Sequence, residues 1–222
     1  MNITIASPNK QARSIEISQA MQKHFVEPIN HAQTILNQIN SGMYSRWFEC
    51  KKDLTCIDFG ANVGLVSLYM QPACKELYCI EPTPSHFDLL IELLFDTNAM
   101  LTQTALTETT EIVSFLANHS TENKVSELGT IKVLGKPLSY YLKQTKNIVD
   151  FCKIDIEGGE MKALTTSELK KSKGKVRTFF VEVHPTEKGI DENRIELISR
   201  FESNGYKVEV LDYQTLIATY DC

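Results

Sequence analysis

The stretch Leu54-Thr55-Cys56-Ile57-Asp58-Phe59-Gly60-Ala61-Asn62-Val63-Gly64 decides the fold. Leu54–Phe59 is a short apolar run with the character of a buried strand, and Leu65–Met70 behind it is the core of a helix. The glycines between them let the main chain turn sharply and let a ligand approach the backbone closely. Their spacing is G-x-x-x-G rather than G-x-G-x-x-G, and no Gly-Lys-Ser/Thr follows. That pattern argues against a pyrophosphate ligand and for a smaller nucleoside such as S-adenosylmethionine. The bland alternative is a turn that merely closes a strand–helix corner, and the next strand weighs against it. Leu77–Ile80 ends on Glu81, 23 residues after Asp58, where a carboxylate is placed to accept hydrogen bonds from both ribose hydroxyls.

Downstream, short apolar runs continue to alternate with helical stretches. Thr83 is placed to cap the next helix, with Pro84 at its first position, and Phe87, Leu90, Ile91 and Leu94 recur at helical spacing. Leu101–Leu106 reads as a third strand. Residues 107–135 read as an irregular region with one or two strands, Ile112–Leu116 and Thr130–Leu134, and Ser139 as the cap of a short helix. Val149–Ile156 and Val176–Val183 are strands flanking a helix over Glu160–Lys171. A helix over 190–204 stops at Gly205, and Tyr206–Leu211 pairs with Thr215–Tyr220 as a closing hairpin. Such alternation demands a mostly parallel sheet covered on both faces, and the hairpin adds at least one antiparallel strand. Upstream, residues 14–40 read as two helices broken at Pro28, with Ile29, Ala32, Leu36 and Ile39 as an apolar stripe and Gly42 as a stop. The expected organisation is therefore a helical extension over residues 1–50 and an α/β domain over 51–222.

The bulk numbers fit this reading. A chain of 222 residues suits one well-cored domain with an extension, and a net charge of −5 provides no overall basic field for nucleic acid or anionic lipid. No apolar stretch approaches the ~18 residues of a membrane span. The N-terminus lacks the basic-then-apolar pattern of a signal peptide. The six cysteines show neither a C-x-x-C pair nor a metal-ligand spacing, which favours a reduced, cytoplasmic setting.

Two further blocks carry chemistry. Lys153-Ile154-Asp155-Ile156-Glu157-Gly158-Gly159-Glu160 crowds acids around two glycines, which is costly for stability alone. A helix N-terminus accounts for Glu160 but poorly for Asp155, at the carboxyl end of a buried strand, where open α/β sheets bind ligands. Glu182 and His184 share parity at the end of the next strand and point to one face. His24, His31 and His86 fall in helical stretches, facing solvent or core edges, and His119 falls in the irregular region.

In order and spacing, the blocks "DFGANVG", "IEPTPSHFDLL", "FCKIDIEGGEMKAL" and "FVEVH" resemble the FkbM family of S-adenosylmethionine-dependent methyltransferases, over roughly residues 54–184. The resemblance implies the class I methyltransferase Rossmann-like fold, a seven-stranded sheet of order 3-2-1-4-5-7-6. It implies cofactor contacts from Asp58, Gly60, Asn62, Gly64 and Glu81, with adenine-side contacts near Thr104 and Ala105. It also implies that Lys153, Asp155, Glu157 and His184 surround the reacting centre, and that the acceptor is a hydroxyl of a sugar, glycan or polyketide-like small molecule. On this reading His184, with an ordinary pKa near 6.5, is the neutral general base, and Asp155 either orients it or hydrogen-bonds the acceptor. A rival scheme has Asp155, Glu182 and His184 hold a divalent metal. Two other functions stay open: an NAD or nucleotide-sugar enzyme on the same fold, and a catalytically inactive adaptor.

Overall fold

The computed structural model describes residues 2–8, 13–26, 31–115 and 129–221. The chain starts with β1 (Asn2–Ile5), β2 (Arg13–Glu16), α1 (Gln19–Val26), α2 (His31–Asn40) and α3 (Ser45–Phe48). It continues through β3 (Leu54–Phe59), α4 (Leu65–Met70), β4 (Cys74–Ile80), α5 (Pro84–Leu94), β5 (Met100–Thr102), β6 (Ala105–Leu106), β7 (Glu111–Phe115) and β8 (Ile131–Lys136). It closes with α6 (Leu138–Leu142), β9 (Phe151–Ile154), α7 (Glu160–Ala163), α8 (Thr166–Ser172), β10 (Thr178–Glu182), α9 (Ile190–Ser203), β11 (Lys207–Val210) and β12 (Thr215–Thr219).

Seven strands form the main sheet in the order β11-β12-β10-β9-β3-β4-β5, which reads 3-2-1-4-5-7-6 when its own strands are counted along the chain. The five strands from β10 to β5 run parallel, while β12 lies antiparallel to both β10 and β11. Alternation along the central strands separates the two faces. Cys56, Phe151 and Phe180 face one apolar cluster together with α2, α4 and the start of the chain. Ile57, Phe59, Cys152, Ile154, Phe179 and Val181 face the other, under α6, α8 and α9. Asp58, Lys153 and Glu182 share parity with the first set, so three charged groups reach the rim on the face covered by the N-terminal segment.

The structure differs from the sequence reading in definable places. The extension is not helical throughout: β1 and β2 form a two-stranded antiparallel sheet, with Ile3 and Ile5 alternating inward. Leu101–Leu106 is not one strand, since β5 ends the main sheet while β6 pairs with β8 in a second, three-stranded sheet. Tyr141 holds the break, its hydroxyl 2.8 Å from Thr104 Oγ1 and donating to the Ala105 carbonyl at 3.0 Å. The expected helix over Glu160–Lys171 is two helices, because Thr165 turns out of the first and its side chain accepts from the Glu168 N–H to cap the second. Thr83 makes no side-chain cap, and Ser139 lies inside α6, which Pro137 precedes. Pro28, Ile29 and His119 lie outside the described residues, as do the side chains of His24 and His31. No helix among the described residues is long and apolar enough to cross a membrane.

Candidate active site

The turn after β3 is shaped by its neighbours. Gly60 has φ +73°, and a Cβ there would lie 1.7 Å from the Asp155 carbonyl oxygen, so two strand-end loops meet too closely for any side chain. Asn62 is also left-handed, with φ +52°, and its Oδ1 accepts from the Val63 N–H at 2.7 Å. Its own N–H donates to Glu81 Oε2 at 2.8 Å, while Glu81 Oε1 accepts from the Thr83 N–H at 2.8 Å. The carboxylate at the end of β4 is thereby locked to the turn at the end of β3. Burial pushes Glu81 up to about 7, against the downward pull of its Thr83 and Asn62 donors. A cleft opens beside it, lined by Gly60, Asn62, Glu81, His86, Thr104 and Ala105.

Of the two settings expected for His86, solvent or a core edge, the structure shows the second: it is buried at the cleft, with Nδ1 3.9 Å from Glu81 Oε1. Two residues expected at the cofactor, Asp58 and Gly64, stand behind the cleft walls. Asp58 is wholly buried and lines neither this cleft nor its neighbour; it accepts from the Ser67 hydroxyl at 2.6 Å and lies 3.4 Å from Lys153 Nζ. Gly64 lines neither cleft; it has φ +94°, and a Cβ there would meet Leu90 at 2.7 Å, so its role is close packing of α4 against α5. Lys153 is a buried tie whose ammonium donates to the Gly60 carbonyl at 3.3 Å and to Asp155 Oδ2 at 3.2 Å. Burial opposes its charge, but Asp155 and Asp58 outweigh that and raise its pKa. It fixes the turn after β3 against the end of β9.

A second cleft adjoins the first, with Lys153, Asp155, Glu157, Glu182 and His184 on its wall. Glu157 takes a left-handed backbone, φ +54°, in the turn before α7. Glu160 is fully buried, accepts from the Ile156 and Gly158 N–H groups at 3.1 Å, and lies 3.0 Å from His184 Nδ1. Nε2 of His184 lies 3.5 Å from Glu157 and 3.9 Å from Asp155. Burial lowers the imidazole pKa, but the Glu160 hydrogen bond and charge, with Asp155 and Glu157, carry it up to about 9. The surrounding carboxylates thus favour the charged imidazole, where the sequence reading expected a neutral one. Glu182 is raised above the usual carboxylate range by burial first and by Asp155 second. For a metal, the ligand atoms of Asp155, Glu157 and His184 lie within 4.8 Å of one another, so Glu157 takes the place expected for Glu182.

The sheet order, and the cleft at its rim with a carboxylate at the second strand end, define a class I S-adenosylmethionine-dependent methyltransferase fold. Residues 58–208 match the methyltransferase FkbM domain, and the chain belongs to that family of S-adenosylmethionine-dependent methyltransferases. No curated protein matches it. Among solved structures it is similar to magnesium protoporphyrin IX methyltransferase from Synechocystis PCC 6803 with bound S-adenosylhomocysteine, at 12% identity and TM-score 0.50, covering 93% of this chain and 89% of that one. It is also similar to precorrin-6y C5,15-methyltransferase from Geobacter metallireducens GS-15, at 13% identity and TM-score 0.47, covering 78% and 82%. A third is Aeropyrum pernix fibrillarin with natively bound S-adenosyl-L-methionine, at 10% identity and TM-score 0.47, covering 76% and 66%.

Proposed function

We propose that the chain methylates a hydroxyl oxygen of a sugar, glycan or polyketide-like small molecule. The supporting observation is that Gly60, Asn62, Asp155 and Glu157 line both clefts, so the nucleoside side and the acid–base side open onto one another. Glu81 and the Gly60 turn suit the adenosine half of the cofactor, with Thr104 and Ala105 on the adenine side. Bound S-adenosylmethionine supplies a methyl group on a sulfonium, open to in-line attack by the acceptor oxygen.

An aliphatic hydroxyl is a poor nucleophile until its proton is taken. The charged His184 is the hydrogen-bond donor to the developing oxyanion, and Glu182, with its raised pKa, is the carboxylate that receives the proton. Asp155, held by Lys153, fixes the junction, and much of the acceleration comes from that alignment. The acidic wall favours an uncharged acceptor over nucleic acid. The free cysteines among the described residues favour a cytoplasmic setting.

A second reading is favoured by the Asp155–Glu157–His184 group: a divalent cation held there would lower the hydroxyl pKa. Transfer of labelled methyl from S-adenosylmethionine into a neutral glycan panel, with and without chelator, tests both. Our reading expects label in a hydroxyl ether, insensitive to chelator, and strongly reduced in Asp155→Asn and His184→Ala. Loss with chelator and recovery with added metal transfers the mechanism to the cation, and full activity in both variants refutes the assignments.

A further inference from the structure

The first cleft is lined wholly by the family-matched part of the chain, whereas the second draws part of its lining from outside it. One side of it is formed by Thr34, Ile35 and Gln38 of α2 and by Tyr44, all ahead of residue 58, with Gln214 from the β11–β12 turn at its edge. Tyr44 is only 2% exposed, its ring packed 5.0 Å from Phe180 and 6.2 Å from Tyr69. Tyr44 lines the cleft, and the charges of Lys153, Asp155 and Glu182 bear on its hydroxyl. Burial first, then the nearby carboxylates, raises its pKa, so the phenol is a donor at every working pH. Among the described residues, no side-chain hydrogen bond engages the Tyr44 hydroxyl, the Gln38 amide or the Gln214 amide. These three groups can hydrogen-bond a ligand that enters the cleft.

We infer that the N-terminal segment is the acceptor-recognition wall, with Tyr44 and Gln38 hydrogen-bonding hydroxyls that flank the one methylated, in an uncharged polyhydroxylated acceptor. This rests on the methyl-transfer reading above. The opposite wall holds Asp155, Glu157 and Glu182, while Lys153 is engaged with Gly60 and Asp155 and His184 with Glu160. Among the described residues lining the cleft, both cations are thus already shared with carboxylates, and Asp155, Glu157 and Glu182 together repel a phosphate or carboxylate on the acceptor.

The test uses the full chain with three readouts: calorimetric affinity for S-adenosylhomocysteine, thermal midpoint, and transfer of labelled methyl into a neutral oligosaccharide panel and a matched panel bearing uronate or phosphate groups. Label enters the neutral panel preferentially. Tyr44→Phe, which keeps the ring packing, and Gln38→Leu each raise KM for the best neutral acceptor about three- to tenfold, the worth of one neutral hydrogen bond. Both variants leave S-adenosylhomocysteine affinity and the thermal midpoint unchanged. Preferential labelling of the anionic panel, absence of label from the neutral one while S-adenosylhomocysteine binds, or an unchanged KM in both variants overturns the inference. A weakened S-adenosylhomocysteine affinity in the variants reassigns these residues to the cofactor and also overturns it. Failure of the wild-type chain to bind S-adenosylhomocysteine strikes instead at the underlying reading.

Discussion

Glu160 lies buried between two backbone N–H groups and Nδ1 of His184, and that placement decides the charge of the imidazole. Sequence parity placed His184 on one face with Glu182, but parity says nothing about what stands behind a ring, so an ordinary pKa was the natural assumption. The same blindness hid His86 and Tyr44, whose helical and extension settings carry no motif spacing. Glu81 was legible because a carboxylate at that separation from a glycine turn has one geometric consequence in a parallel sheet. The pH dependence of kcat/KM follows from the two shifts. The base must be ionised, so the rate rises as Glu182 titrates near 7, and the donor must be charged, so it falls as His184 loses its proton near 9. A bell-shaped profile whose alkaline limb disappears in His184→Gln is expected. A single rise near 6.5 that holds to alkaline pH would restore the neutral-base assignment.

At the scale of elements, strands and long helices were readable from periodicity, while their boundaries moved with local chemistry. The β5/β6 break depends on Tyr141, 36 residues from Ala105, and no local pattern announces such a contact. The α7/α8 break was readable in principle, since Thr165-Thr166-Ser167-Glu168 has the sequence signature of a helix start, of which the Thr165 cap is formed, but the apolar periodicity ran through it. Removing that cap separates structure from catalysis. Thr165→Ala should lower unfolding stability by about 1 kcal/mol in denaturant titration. S-adenosylhomocysteine affinity should stay unchanged, because α8 lines neither cleft.

For the molecule as a whole, alternation of strand and helix was enough to call for a parallel sheet with ligands at its carboxyl rim. What alternation could not supply is the covering of that rim. The start of the chain folds onto the face where Asp58, Lys153 and Glu182 emerge and shares its apolar cluster with α4 and Phe180. The central claim is that the turn after β3 and the carboxylate ending β4 together grip the adenosine of the methyl donor. Calorimetric titration of S-adenosylhomocysteine into the wild-type chain and Glu81→Ala, with folding checked by circular dichroism, tests it most directly. One site is expected in the wild type and at least tenfold weaker binding in the folded variant, from the loss of the carboxylate's hydrogen bonds to the ribose. Equal affinity in the two proteins, or none in the wild type, would contradict it.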